Sequence, residues 1–143
     1  MDHVTPEQVS EIVLRAEESL RRVEPPTVTF HLPVVRPEAI YLPAYPSDPI
    51  IEIRRQVRHA ITQVAGLDLD DAKDYHPHVS IAYSNSSQDT SKVVAALTRA
   101  TDAVPATATL THVDLLEFHR DRRMYEWAST APIRIGEVSS TRN

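Results

Sequence analysis

The sequence contains no cysteine, which excludes disulfides, thiolate nucleophiles and cysteine-based zinc sites. Only 2 residues are glycine, so no Gly-rich loop is available to wrap a phosphate. No apolar run approaches membrane-spanning length and no secretory leader opens the chain; a soluble, cytoplasmic protein with no membrane partner is expected. Positive charge is also short. The net charge of −5 argues against sequence-independent binding of duplex nucleic acid, while a small phosphodiester or an RNA end remains compatible with it. Hydrophobic residues at 41% and charged residues at 24% are ordinary for a globular chain, and 143 residues suffice for one domain, expected over 1–143.

Proline is plentiful, with 11 residues, and marks the element boundaries. Thr5-Pro6-Glu7-Gln8 predicts a helix start, with Thr5 as cap, Pro6 at the first position and Gln8 closing a capping box. Val9, Ile12, Val13, Ala16 and Leu20 form its apolar stripe, and Pro25-Pro26 stops it. Thr27 to Val35 reads as a strand, Arg36-Pro37-Glu38 as a turn and Ala39 to Tyr45 as the return strand, with bulges or edge positions expected at Pro33 and Pro43. Ser47-Asp48-Pro49 opens a second helix that buries Ile50, Ile53, Val57, Ala60, Ile61 and Val64 and stops at Gly66. Val93, Val94, Ala96, Leu97 and Ala100 mark a third helix. Strands are expected from about Ala106 to Phe118 and about Met124 to Ile135. The order α-ββ-α-β-α-ββ argues for an α+β domain with antiparallel sheets and flanking helices.

The stretch with chemical content is Tyr75-His76-Pro77-His78-Val79-Ser80-Ile81-Ala82-Tyr83-Ser84. Alternation puts Val79, Ile81 and Tyr83 toward a core and His78, Ser80 and Ala82 on the other face. An imidazole that exchanges protons near neutral pH then stands two residues from a hydroxyl that can hold an oxyanion. His3-Val4-Thr5 has the same short pattern, but Pro6 cannot join a sheet ladder and Thr5 is better used as the helix cap.

His78-Val79-Ser80 resembles one of the two His-x-Thr/Ser motifs of the 2H phosphoesterases, the 2'-5' RNA ligase and cyclic phosphodiesterase superfamily. The stretch from Thr27 through His31 to Pro43 is similar to the hairpin before the second motif in actinobacterial-type members. Leu115 to Trp127, with Arg123-Met124-Tyr125-Glu126-Trp127 at its end, resembles their closing hairpin. The resemblance implies a two-lobed fold with a cleft and metal-independent chemistry without cofactors on a 2'-5' or 2',3'-cyclic phosphodiester in RNA or a small nucleotide. It implies His78 as acid or base and Ser80 as the hydroxyl holding a phosphate oxygen. In the family a first His-x-Thr strand precedes the helix that opens this chain, and no counterpart stands here. Three readings stay open: a segment of a longer protein, a short form completed by a second protomer, and a catalytically incomplete nucleotide- or partner-binding remnant. An unpaired sheet edge left by that strand would favour a homodimer.

Other residues are weighed beside these. His76 is expected at the cleft mouth, where its protonated ring would contact phosphate. Arg123 can pair with phosphate and Tyr125 can stack a base. Trp127 and Tyr83 read as packing, and His31 as a strand residue facing either cleft or solvent. His76, His78, His112 and Asp114 have no diagnostic metal spacing, and the acidic run Asp68-Leu69-Asp70-Asp71 lacks the pattern of a calcium loop, so no metal is expected.

Overall fold

Helix α1 (Pro6–Leu20) begins as its sequence dictates: the Thr5 side chain accepts from the Gln8 N–H at 3.2 Å and the Gln8 side chain accepts from the Thr5 N–H at 2.9 Å. The computed structural model describes residues 4–69, 74–84, 89–100, 105–119 and 126–137. Helix α2 (Asp48–Ala65) ends at Gly66, whose φ of 65° is the left-handed conformation glycine adopts without strain. The other glycine, Gly136 (φ 80°), donates its N–H to the Leu20 carbonyl at 2.9 Å, and a Cβ there would lie 2.9 Å from Pro25 Cδ. Both glycines therefore sit where a side chain is penalised.

The strands are β1 (Thr27–Phe30), β2 (Val34–Val35), β3 (Ala39–Tyr45), β4 (His78–Tyr83), β5 (Ala106–Thr109), β6 (His112–His119) and β7 (Glu126–Arg134), with α3 (Ser91–Arg99) between β4 and β5. Two predicted strands are each broken. Pro33 has no N–H for a ladder and separates β1 from β2. At Leu110-Thr111 the chain leaves a five-stranded sheet (β1 to β5) for the two-stranded β6–β7 hairpin. The observed order is thus α-βββ-α-β-α-βββ, still α+β with antiparallel pairing throughout.

Strand β3 organises the larger sheet. One edge pairs first with β2 and then with β1, and the other edge pairs with β4. Pro43 is therefore interior, not at an edge, and the register shift falls at Ile40/Tyr41 rather than beside it. The Pro43 carbonyl accepts the His31 N–H at 2.9 Å, but Pro43 has no N–H to return, and β1 ends one residue earlier at Phe30.

The main core joins α1, α2 and the hairpin through Ala16, Leu20, Ile53, Ala60, Ile133 and Ile135, with Leu110 and Val113 packed against it. Val28 and Ala44 are the buried residues of the larger sheet. Helix α3 forms as predicted, yet none of its residues is buried. Its apolar side borders a shallow depression with Leu32, Pro33 and Val35.

Candidate functional site

Cross-strand partners share a face, as do residues two apart along a strand. Pro43 lies opposite His78 and Tyr41 opposite Ser80, so all four stand on one side of the sheet. Tyr45 lies opposite Thr29, and Thr29 opposite Thr107, which extends the same side across β1 and β5. Val28 and Ala44 alternate onto the other side and are buried. The open face is thus a polar surface of imidazole, hydroxyl and phenol groups.

His78 is fixed from below. Pro77 locks its own φ and disfavours helical backbone at His76, and the Pro77 carbonyl accepts the Ala44 N–H at 3.0 Å. The His76 carbonyl then lies 2.7 Å from His78 Nδ1. A carbonyl only accepts, so Nδ1 carries a proton, and in its neutral form the ring presents the Nε2 lone pair. The His78 ring also rests 4.9 Å from the Tyr41 ring, tilted at 50°. The preceding connection is strapped to α2. Thr62 Oγ1 donates to the Leu67 carbonyl at 3.1 Å, Arg58 donates to the Leu69 carbonyl, and the Arg54 guanidinium lies 4.4 Å over the Tyr75 ring.

The two faces of the motif strand are as expected, but the burial of one of them needs correction. His78 is exposed and Ser80 half-buried, as a site requires, but Val79, Ile81 and Tyr83 are not core residues: they are 41%, 50% and 60% exposed. Alternation divides a strand into two faces, but a face is buried only where another element covers it. Here α3 reaches only the end of β4, where Ala82 and Tyr83 border a depression with Val93. Trp127, read as packing, is 63% exposed opposite Phe118. His76 is exposed and precedes β4 rather than belonging to it. Arg123, Tyr125, Asp70, Asp71 and His3 lie outside the described residues. His112 and Asp114 share a face as predicted, with Nε2 3.5 Å from Oδ2, and among the described residues no three His, Asp or Glu side chains converge as metal ligands.

Three residues of this surface carry no role in the sequence reading: Tyr41, Tyr45 and, left undecided there, His31. The period-two row Tyr41, Pro43, Tyr45 was the available signal. His31 follows from the register, since its N–H bonds the carbonyl of Pro43, the partner of His78, and its ring meets the Tyr45 ring edge-on at 5.2 Å. Among the described residues, no helix is long and apolar enough to cross a membrane.

Comparison with known proteins places this geometry. The family model described as the 2'-5' RNA ligase superfamily matches residues 2–122. Escherichia coli LigT complexed with ATP is similar in structure, with TM-score 0.59 and 14% identity over 94% of this chain and 71% of that one. LigT complexed with 3'-AMP gives TM-score 0.54 and 16% identity over 92% and 69%. A Thermus thermophilus protein gives TM-score 0.63 and 10% identity over 94% and 74%. At such identities the structural likeness shows the fold alone. No curated protein sequence matches significantly.

Proposed function

The chain belongs to the 2'-5' RNA ligase superfamily, and from that premise we propose that it acts on 2'-5' or 2',3'-cyclic phosphodiesters of RNA ends or small nucleotides. His78 is the acid/base. With Nδ1–H held by the His76 carbonyl, Nε2 takes the proton of an attacking oxygen as it bonds phosphorus, while the P–O bond to the leaving oxygen breaks and that oxygen takes a proton from solvent; in the reverse direction the imidazolium returns its proton to the departing oxygen. Ser80, two residues on and on the same face, donates its hydroxyl proton to a non-bridging phosphate oxygen. Exposed His76 contributes a phosphate contact when protonated. The chemistry consists of proton transfers and hydrogen-bond donation to phosphate, which side chains perform without a metal or cofactor. Adenosine phosphates seated in LigT support a nucleotide ligand of this kind.

The observation that carries this reading is the His76–His78 bond, because it selects one tautomer and leaves the reactive nitrogen outward. The test is metal-free hydrolysis of a 2',3'-cyclic nucleotide by the pure protein beside His78→Ala. Turnover that vanishes in the variant supports the reading; equal turnover in both overturns it.

A second reading has its own observation. Strand β4 pairs only with β3 among the described residues, and its Val79, Ile81 and Tyr83 are exposed. Such an edge suits a homodimer or a nucleotide- or partner-binding role without turnover. Light scattering separates the two: a dimer with no hydrolysis favours this alternative.

A further inference from the structure

The open face holds a second imidazole–hydroxyl–phenol group that repeats the first in reversed order. Along β4 the run is His78-Val79-Ser80; at the end of β1 it is Thr29-Phe30-His31. Ser80 faces Tyr41 and His78 faces Pro43. Thr29 faces Tyr45, and His31 bonds the Pro43 carbonyl. Each imidazole leans on one tyrosine, His78 on Tyr41 at 4.9 Å and His31 on Tyr45 at 5.2 Å. The side chains are therefore related by a local twofold through Pro43, although β1 and β4 run in the same direction.

We propose that His31 and Tyr45 form the second half of the substrate cradle, and that the ligand it fits is a dinucleoside phosphodiester. The spacing sets this size. Tyr41 and Tyr45 are four residues apart on one strand, about 13 Å between backbones, too far to clasp a single base and suited to two splayed bases. His31 and His78 flank Pro43 across two strand spacings, about 10 Å between backbones. Pro43 is half-buried and offers no side-chain donor, so it leaves a gap between the imidazoles. The phosphate sits over this gap, contacted by both rings, and each nucleoside lies against one tyrosine. A mononucleotide fills only the His78–Tyr41 half. The proposal rests on the reading of His78 as the phosphodiester acid/base and adds the other half of the ligand.

The test compares two probes by calorimetry: 3'-AMP, and 2'-5'-linked adenylyl-adenosine lacking the 3'-hydroxyl beside the linkage, which removes the internal nucleophile. His31→Ala and Tyr45→Ala are made beside Tyr45→Phe; His31 and Tyr45 are exposed, so the core is untouched. The dinucleoside is expected to bind the parent protein about 10-fold more tightly than 3'-AMP, and each alanine variant to lose about that factor for the dinucleoside only. Tyr45→Phe keeps the affinity, because the ring face does the stacking. Equal affinity for the two probes, equal losses on both, or binding of neither overturns the cradle. Tight binding of the dinucleoside that depends on His31 and Tyr45, with no turnover of the cleavable 2'-5' dinucleotide, sustains the cradle and overturns the acid/base role of His78 instead.

Discussion

The open face of the five-stranded sheet carries Thr29, His31, Tyr41, Tyr45, His78 and Ser80, whereas the open face of the β6–β7 hairpin carries Leu116, Phe118 and Trp127 beyond the polar pair His112 and Asp114 at its start. Behind them the contrast reverses in weight. The hairpin contributes Ile133, with Ile135 just beyond it, to the main core, while the larger sheet buries Val28 and Ala44 outside that cluster. One of these faces thus exposes polar groups, and the far end of the other exposes area that water solvates poorly. Polarity on an open sheet face distinguishes a surface suited to an ion from one suited to apolar contact, and it does so before any ligand is known.

The comparison can be broken most directly at His78. On the proposed chemistry, His78→Ala lowers turnover of a 2',3'-cyclic nucleotide by about 10²- to 10⁴-fold with the fold unchanged, read by steady-state kinetics and circular dichroism. An equal loss from Trp127→Ala would erase the distinction between the two faces. Next in size is the buried side of the hairpin. Ile133→Ala is expected to cost about 2–5 kcal/mol in urea unfolding, whereas exposed Trp127→Ala stays within about 0.5 kcal/mol. A smaller effect belongs to α1: Thr5→Ala removes the acceptor for the Gln8 N–H and costs about 1 kcal/mol by the same unfolding measurement.

The smallest prediction concerns pH and lies away from both sheets. Hydrogen bonds from Arg55, then Gln56, hold the Glu52 carboxyl down at about 2. A carboxyl lowered on folding stabilises fully above its unfolded value, and that contribution fades as the pH falls through the folded one. Thermal unfolding of Glu52→Gln should therefore lose a slight part of the acid-limb dependence between the usual carboxylate range and about 2, and match the parent dependence on the alkaline side.

Much of this was legible in the residues. The capping box at Thr5 and Gln8 and the stop at Gly66 are local rules, and local rules are written in neighbouring residues. The imidazole and hydroxyl of His78 and Ser80 share a face because strand alternation requires it. What stayed hidden depends on distant chain. Whether Val79 and Ile81 are covered depends on where α3 packs. The break at Leu110-Thr111 depends on two sheets competing for one run of β-forming residues. Tyr45 shares the face through the period-two row Tyr41, Pro43, Tyr45, but His31 joined it only through the register of β1 on β3, which no local pattern specifies.

The threonine pairs between β1 and β5 carry one more consequence. Thr27 and Thr109 oxygens stand 2.9 Å apart, and Thr29 and Thr107 oxygens 3.2 Å. Two hydroxyls joined by one hydrogen bond hold two protons and use one between them. The accepting hydroxyl of each pair keeps an O–H that must point elsewhere, and on this exposed face elsewhere is solvent or ligand. The sheet therefore ends in a short array of outward donors whose direction can reverse without moving a heavy atom. Such an array can match its protons to the oxygen pattern of whatever lies on it, water included.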